Sequence, residues 1–238
     1  MALELCLQMG KVGSSTIVRS FPTVMQFHSW SGSAPIQYFS TKYRGTPLGQ
    51  LRQAYSWRRQ FRKASVLRDR ARLSGDPVKI VTGVREPLER NISAYFQTMP
   101  DDFVSSGPIE NVHGEFLAFG AHYVPNVWFD LELKRHFGLD IYAHQFDKER
   151  GYSVIREAGI EVFVYRMENL DDAIAALGDF LGRPGVKLEA RSNTASDKPI
   201  AATYEAFRKS FVPPEGLQAD LYGSRYFRHF YEDRDRRW

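Results

Sequence analysis

The feature that most constrains the fold is a unit that occurs three times: a short apolar run, a turn, and a stretch with helical spacing. Leu3 to Met9 reads LELCLQM and stops at Gly10 and Gly13, after which SSTIVRSF has the spacing of a short helix. Val78 to Val84, VKIVTGV, is apolar enough throughout for a central strand, and Glu86-Pro87 then opens a helix through LERNISAYFQ, proline suiting the first turn. Ile160 to Met167, IEVFVYRM, is the clearest buried strand, and LDDAIAALGDFLG follows it with apolar residues at helical spacing up to Gly182. A further run, TVMQFH at 23–28, adds a strand that ends at His28. Strands alternating with helices predict an α/β fold: one three-layer domain over residues 1–238, with a central, mainly parallel sheet flanked by helices. Ligands of such sheets bind at the carboxyl ends of the strands.

The remaining segments are read around that frame. Residues 33–47 mix Gly, Pro, Ser and Thr and read as a loop; 48–73 are rich in helix formers and read as one long helix. Residues 101–114 are turn-like, and helical stretches are expected at about 115–122 and 126–137. Arg183 to Pro199 reads as a polar loop, and the remainder as two helices. With 43% hydrophobic and 25% charged residues the composition is globular, which excludes disorder, collagen and coiled coil. The single cysteine, Cys6, forms no internal disulfide and is expected to pack as a small apolar residue in the first strand.

Chemistry-bearing residues gather where strands end. Gly10-Lys11-Val12-Gly13-Ser14-Ser15-Thr16 combines a tight turn, backbone N–H groups, hydroxyls and one ammonium, the parts of a phosphate cradle; a plain glycine turn with a helix cap is the alternative. It is not a Walker A loop, because Lys11 precedes Gly13. Arg85 sits at the next strand end and Ser93 two helical turns on, so both can face one anionic group; otherwise Arg85 and Arg90 form surface ion pairs with Glu86 and Glu89. Tyr165 to Leu170, YRMENL, reads as a structural junction into the acidic start of the following helix.

Together these segments resemble the sulfotransferases that use 3′-phosphoadenosine 5′-phosphosulfate as donor, carbohydrate sulfotransferases in particular. KVGSST resembles their 5′-phosphosulfate loop, REPLERNISAY their 3′-phosphate segment, and RMENL their Arg-Tyr-Glu-Asp-Leu junction, in an order that covers residues 4–182. The resemblance implies a P-loop-like fold in which Lys11, Gly13, Ser14, Ser15 and Thr16 hold the 5′ side of the donor and Arg85 with Ser93 the 3′-phosphate. Nothing matches the late Arg-Lys-Gly segment of the small-molecule enzymes; Arg191-Ser192-Asn193 occupies its position, which makes Asn193 a donor-binding candidate. WFDLELKRHFGLDIY, FDKERGY and YGSRYFRHFY resemble in addition a bacterial family described as capsular polysaccharide synthesis proteins, which points to a glycan acceptor.

The implied reaction is in-line sulfuryl transfer to a carbohydrate hydroxyl, with adenosine 3′,5′-bisphosphate as product and no metal. Lys11 would stabilise the leaving phosphate oxygen. His28 stands where carbohydrate sulfotransferases resembling this chain place a His or Glu base, and Phe27 and Trp30 are candidates for a sugar platform; without the resemblance, His28 reads first as a core or turn histidine. His113 and His122 rank next, whereas His136 and His229 look superficial; no histidine pair has a metal spacing.

The helix at 48–73 carries eight basic residues against Asp69, a local charge of +7 in a chain of net charge +4, which suits an anionic glycan. No nucleic-acid module accompanies it. The competing functions are a P-loop-like small-molecule kinase and a non-catalytic protein that binds anionic glycans. No apolar run approaches the ~20 residues a spanning helix needs, so the expected location is cytoplasmic, or the Golgi lumen had an N-terminal anchor been removed.

Overall fold

The computed structural model describes residues 2–29, 55, 58–59, 62–63, 65–67, 75, 77–98, 107–157, 159–189 and 200–238. Its centre is a five-stranded sheet built from β1 (Leu3–Leu7), β2 (Met25–Phe27), β3 (Val78–Val84), β4 (Tyr152–Glu157) and β5 (Ile160–Arg166), in the order β2-β1-β3-β5-β4. The four strands β2, β1, β3 and β5 are parallel, with Cys6 opposite Val81 and Val81 opposite Phe163; β4 closes one edge antiparallel to β5.

Alternation along each strand sorts side chains to two faces, because successive Cβ atoms point to opposite sides. Leu5, Leu7, Ile80, Val84, Val162 and Val164 join one buried cluster, packed against α4 (Val124–Phe129) and α9 (Arg225–Phe230) through Trp128, Phe129, Tyr226 and Phe230. Cys6, Val81, Phe163 and Tyr165 join the other, under α1 (Ser14–Ser20) and α6 (Leu170–Phe180) through Ile17, Leu170 and Leu177. Cys6 is fully buried there, and burial pushes its thiol up to about 12. A third cluster, with Phe116 and Phe207 at its centre, joins α2 (Pro87–Thr98), α3 (Ile109–Leu117), α7 (Ala201–Ser210) and α8 (Glu215–Tyr222).

Local chemistry sets the boundaries. Glu86 caps α2 by accepting the Glu89 N–H at 2.6 Å through Oε2, with Pro87 at the first helical position. At the end of α6, Gly182 turns left-handed, and Arg183 N–H to Gly178 C=O with Gly182 N–H to Asp179 C=O completes a Schellman motif.

Several expectations change. The turn-like stretch before residue 114 is helical from Ile109, and the C-terminal part holds α7, α8 and α9 instead of two helices. The edge strand β4 lies in a segment with no strand expectation. Beyond α4 the backbone takes a π-helical turn at Asp130–Lys134 before α5 (Arg135–Phe137). The expected loop at 33–47 lies outside the described residues; of the expected helix at 48–73, residues 55, 58–59, 62–63 and 65–67 are helical where described.

Candidate active site

The residues that leave β2, β1, β3 and β5 do so at one edge of the sheet, and most of the buried polar side chains are there or next to it: Gln8, Ser14, Thr16, Ser29, Glu86, Arg90, Asn91, Glu132 and Arg166. After β1, the backbone at Gly10, Lys11 and Gly13 is left-handed, with φ of 85°, 64° and 84°. Lys11 is the sole non-glycine residue in that region among those described, so the loop holds a strained conformation where Lys11 stands. Ser14 and Thr16 are buried and Ser15 is exposed; Ser14 Oγ accepts from Gln26 Nε2 at 3.0 Å.

The loop is held from below and from one side. Tyr165, buried in β5, donates from its hydroxyl to the Val12 carbonyl at 2.7 Å. This approach requires Gly83: a Cβ there would stand 2.7 Å from the Tyr165 ring and 2.8 Å from the Val12 oxygen. Gly83→Ala is therefore expected to lower stability by about 1–3 kcal/mol, read as a lower urea midpoint at unchanged m, because either Tyr165 or the loop backbone must shift. From the other side, Arg90 on α2 donates through Nη2 to the Met9 carbonyl at 2.8 Å and through Nη1 to Asn91 at 3.0 Å, while Asn91 Nδ2 donates to the His122 carbonyl at 3.1 Å. Arg90 is fully buried, which corrects its reading as a surface ion pair.

Arg85 is fixed at backbone and side chain. Its N–H donates to the Tyr226 hydroxyl at 3.0 Å, and that hydroxyl donates to its carbonyl at 2.8 Å. Its guanidinium lies 3.2 Å from Glu89, which also binds Arg208 at 2.6 Å. Arg85 thus pairs with Glu89 in a partly buried setting. The next residue is tied to the end of β5, the Glu86 N–H donating to Glu168 Oε1 at 2.9 Å. Arg166 binds Asn169 and Asp235, so RMENL is a junction that also braces the bend after β3. Ser93 lies partly buried on α2, and among the described residues no hydrogen bond joins it to the other candidates; Asn193 and Trp30 lie outside the described residues.

β2 ends at Phe27, one residue before His28. Phe27 is buried in the core, so it offers no open sugar platform. The His28 carbonyl accepts from Trp128 Nε1 at 3.3 Å, and Ser29 Oγ donates to Glu132 Oε1 at 2.6 Å, so α4 and the π-helical turn clamp this strand end at two places. Burial pushes the His28 imidazole below the usual histidine value, opposed by a hydrogen bond with the Gln8 backbone and assisted by the Arg90 charge. His122 is lowered for the same reasons of burial and Arg90 charge, against a hydrogen bond to the Phe116 carbonyl at 2.8 Å. Sequence reasoning missed Glu132 and undervalued Arg90. It also misjudged His229, which is partly buried beside Tyr142 and Phe230, and burial with the charges of Lys148 and Arg225 brings it to about 4. His113 lies in the third cluster, 3.0 Å from Ser210.

These shifts have a sign. A histidine whose folded value is lowered binds fewer protons folded than unfolded, so the contributions of His28, His122 and His229 are present above about pH 6.5 and are lost as pH falls through each folded value, about 4 for His229. Glu86, raised by burial to about 7, acts oppositely: its contribution is lost as pH rises from 4.5 toward 7. Melting temperature is expected to fall from pH 7 to pH 5, and Glu86→Gln to make that fall steeper, since it removes the opposing group. A flat profile in both proteins would contradict the assignment.

Among the described residues no group of three His, Cys, Asp or Glu side chains is arranged to hold a metal ion, and no helix is long and apolar enough to cross a membrane. The fold and its strand-end loops define an α/β protein with a polar, partly buried candidate site at the carboxyl edge of a mainly parallel sheet. Residues 111–232, half of the chain, match the family model described as "Putative capsular polysaccharide synthesis protein", and the chain belongs to that family. The matched stretch contains Glu132, Arg166 and Tyr226, whereas the glycine loop, His28 and Arg85 precede it. Comparison with curated proteins and with solved structures gives no match.

Proposed function

We propose that the protein is a sulfotransferase that moves a sulfuryl group from 3′-phosphoadenosine 5′-phosphosulfate to a hydroxyl of a carbohydrate. The observation that carries the reading is the adjacency of three strand ends: β1 lies between β2 and β3, all parallel, so the glycine loop, the segment with His28 and the bend at Arg85 leave the sheet from one edge. Membership in a capsular polysaccharide family supports a carbohydrate acceptor.

The residues present fit an anionic donor. The loop is left-handed at Gly10, Lys11 and Gly13, the kind of backbone whose amides form anion-binding concavities, and Lys11 adds an ammonium. Gln8, just before the loop, has its side-chain amide buried with no hydrogen-bond partner among the described residues, a group that ordered water or ligand would satisfy. The donor supplies an activated sulfur whose bond to the 5′-phosphate oxygen breaks as the acceptor oxygen bonds to sulfur. Lys11 and the loop amides stabilise the negative charge that builds on that phosphate oxygen. Arg85 and Ser93 orient the 3′ end, and His28, neutral at pH 7, takes the acceptor hydroxyl proton at its imidazole. The test is transfer of labelled sulfate from the donor to polysaccharide without added metal. Magnesium-dependent transfer of the γ-phosphate of ATP, with no sulfate transfer, would establish the kinase reading instead.

A further inference from the structure

Tyr55, Arg58, Arg59, Arg62 and Lys63 all have helical backbone and are exposed. None of the four cations forms an ion pair among the described residues, although twelve carboxylate pairs of other Lys, Arg and His residues are present. Their spacing sets like charges four apart, Arg58 with Arg62 and Arg59 with Lys63, an arrangement that destabilises a helix by about 0.2–0.5 kcal/mol per pair. A solvated surface helix normally intersperses acids to relieve such repulsion. Among the described residues no acid supplies that relief, which a polyanion would.

The position of these cations decides what they would meet. The Lys63 ammonium lies 5.6 Å from the centroid of the Phe27 ring, and Leu67 joins the same core cluster as Phe27. Phe27 immediately precedes His28, so Lys63 lies beside the strand end that carries the candidate base, with Arg58, Arg59 and Arg62 one turn or so before it in sequence. Tyr55, 72% exposed, stands four residues before Arg59 and gives the face an aromatic surface of the kind on which a sugar ring stacks.

We infer that the exposed Arg58, Arg59, Arg62 and Lys63 bind a polyanionic, carboxylate- or sulfate-bearing polysaccharide and lead it to His28. The inference rests on the proposed acceptor class and narrows it: a neutral glycan would leave the four charges unrelieved. A long polyanion bound here also gains encounter rate, since clustered charge of one sign steers an oppositely charged chain. Nucleic acid has the same sign of charge but not the sugar carboxylates or the capsular family context.

The experiment measures binding of polygalacturonate, dextran and a single-stranded DNA oligonucleotide to the full chain and to the triple variant Arg58→Glu, Arg59→Glu, Arg62→Glu, with adenosine 3′,5′-bisphosphate affinity read on the same samples. The three residues are exposed, so the variant is expected to fold, with an unchanged melting temperature as the check. Expected are salt-sensitive binding of polygalacturonate over dextran and DNA, and a loss of about tenfold or more in the variant. Equal binding of dextran, tighter binding of DNA, or an unaffected variant overturns the inference. Absence of bisphosphate binding alongside the expected polysaccharide results would refute the donor instead, so the two failures are separable.

Discussion

Replacing His28 with alanine is expected to lower sulfate transfer by about 10²–10⁴-fold while leaving adenosine 3′,5′-bisphosphate affinity within about twofold, the range typical for loss of a general base that does not touch the donor. The expectation follows from where the imidazole sits. Its strand end is held by Trp128 through the backbone and by Glu132 through Ser29, so the ring is carried on a braced segment. Its lowered pKa keeps it neutral near pH 7, the form that accepts a proton. The wild-type rate should fall on the acid side, below the ordinary histidine value, and His28→Gln, which keeps polarity and bulk but cannot take up the proton, should be as impaired as the alanine variant. If His28→Gln retains most of the rate, the histidine is a packing residue, and His122, near the same Arg90 charge, becomes the group to test.

Lys11→Ala is expected to reduce turnover by about 10²–10³-fold, the effect of removing one preorganised charge from a developing oxyanion, and to weaken the bisphosphate as well. Here the backbone contributes to the argument. Lys11 occupies a left-handed conformation in a loop pinned by Tyr165 below and Arg90 beside it, so its side chain leaves the loop from a fixed base. Lys11→Gly relieves the backbone strain yet lacks the ammonium. The glycine variant should therefore be as slow as the alanine variant while being at least as stable; recovery of turnover in Lys11→Gly would mean that loop conformation, not charge, governs the rate.

How much of this was legible beforehand depended on whether the signal was local. The strands β1, β3 and β5 are mostly apolar runs bounded by turns, and a sheet buried on both faces favours that pattern, so they could be read directly. β4 could not: it is an edge strand whose outer residues Arg156 and Glu157 are exposed, and its identity comes from pairing with β5. The loop at Gly10 to Gly13 and the bend at Arg85 were visible as composition. Their mutual bracing was not, because the contacts join residues 81 and 153 apart in sequence, Arg90 to Met9 and Tyr165 to Val12. Glu132 escaped notice for the same reason: in WFDLELKRH it looks like one more surface acid of an amphipathic stretch, and its burial arises from Ser29, 103 residues earlier. His229 looked superficial among charged neighbours, but the rings of Tyr142 and Phe230 enclose it.

The most direct test of the account is the melting temperature of the full chain with adenosine 3′,5′-bisphosphate, ATP or AMP at matched concentration. A ligand that binds only the native state at about 100 times its dissociation constant adds about 2.7 kcal/mol, or roughly 5–10 °C for a domain of this size. The account predicts that rise for the bisphosphate and a much smaller one for ATP and AMP, with loss of the rise in Lys11→Ala. An equal or larger rise with ATP or AMP, or no rise with the bisphosphate, would contradict it.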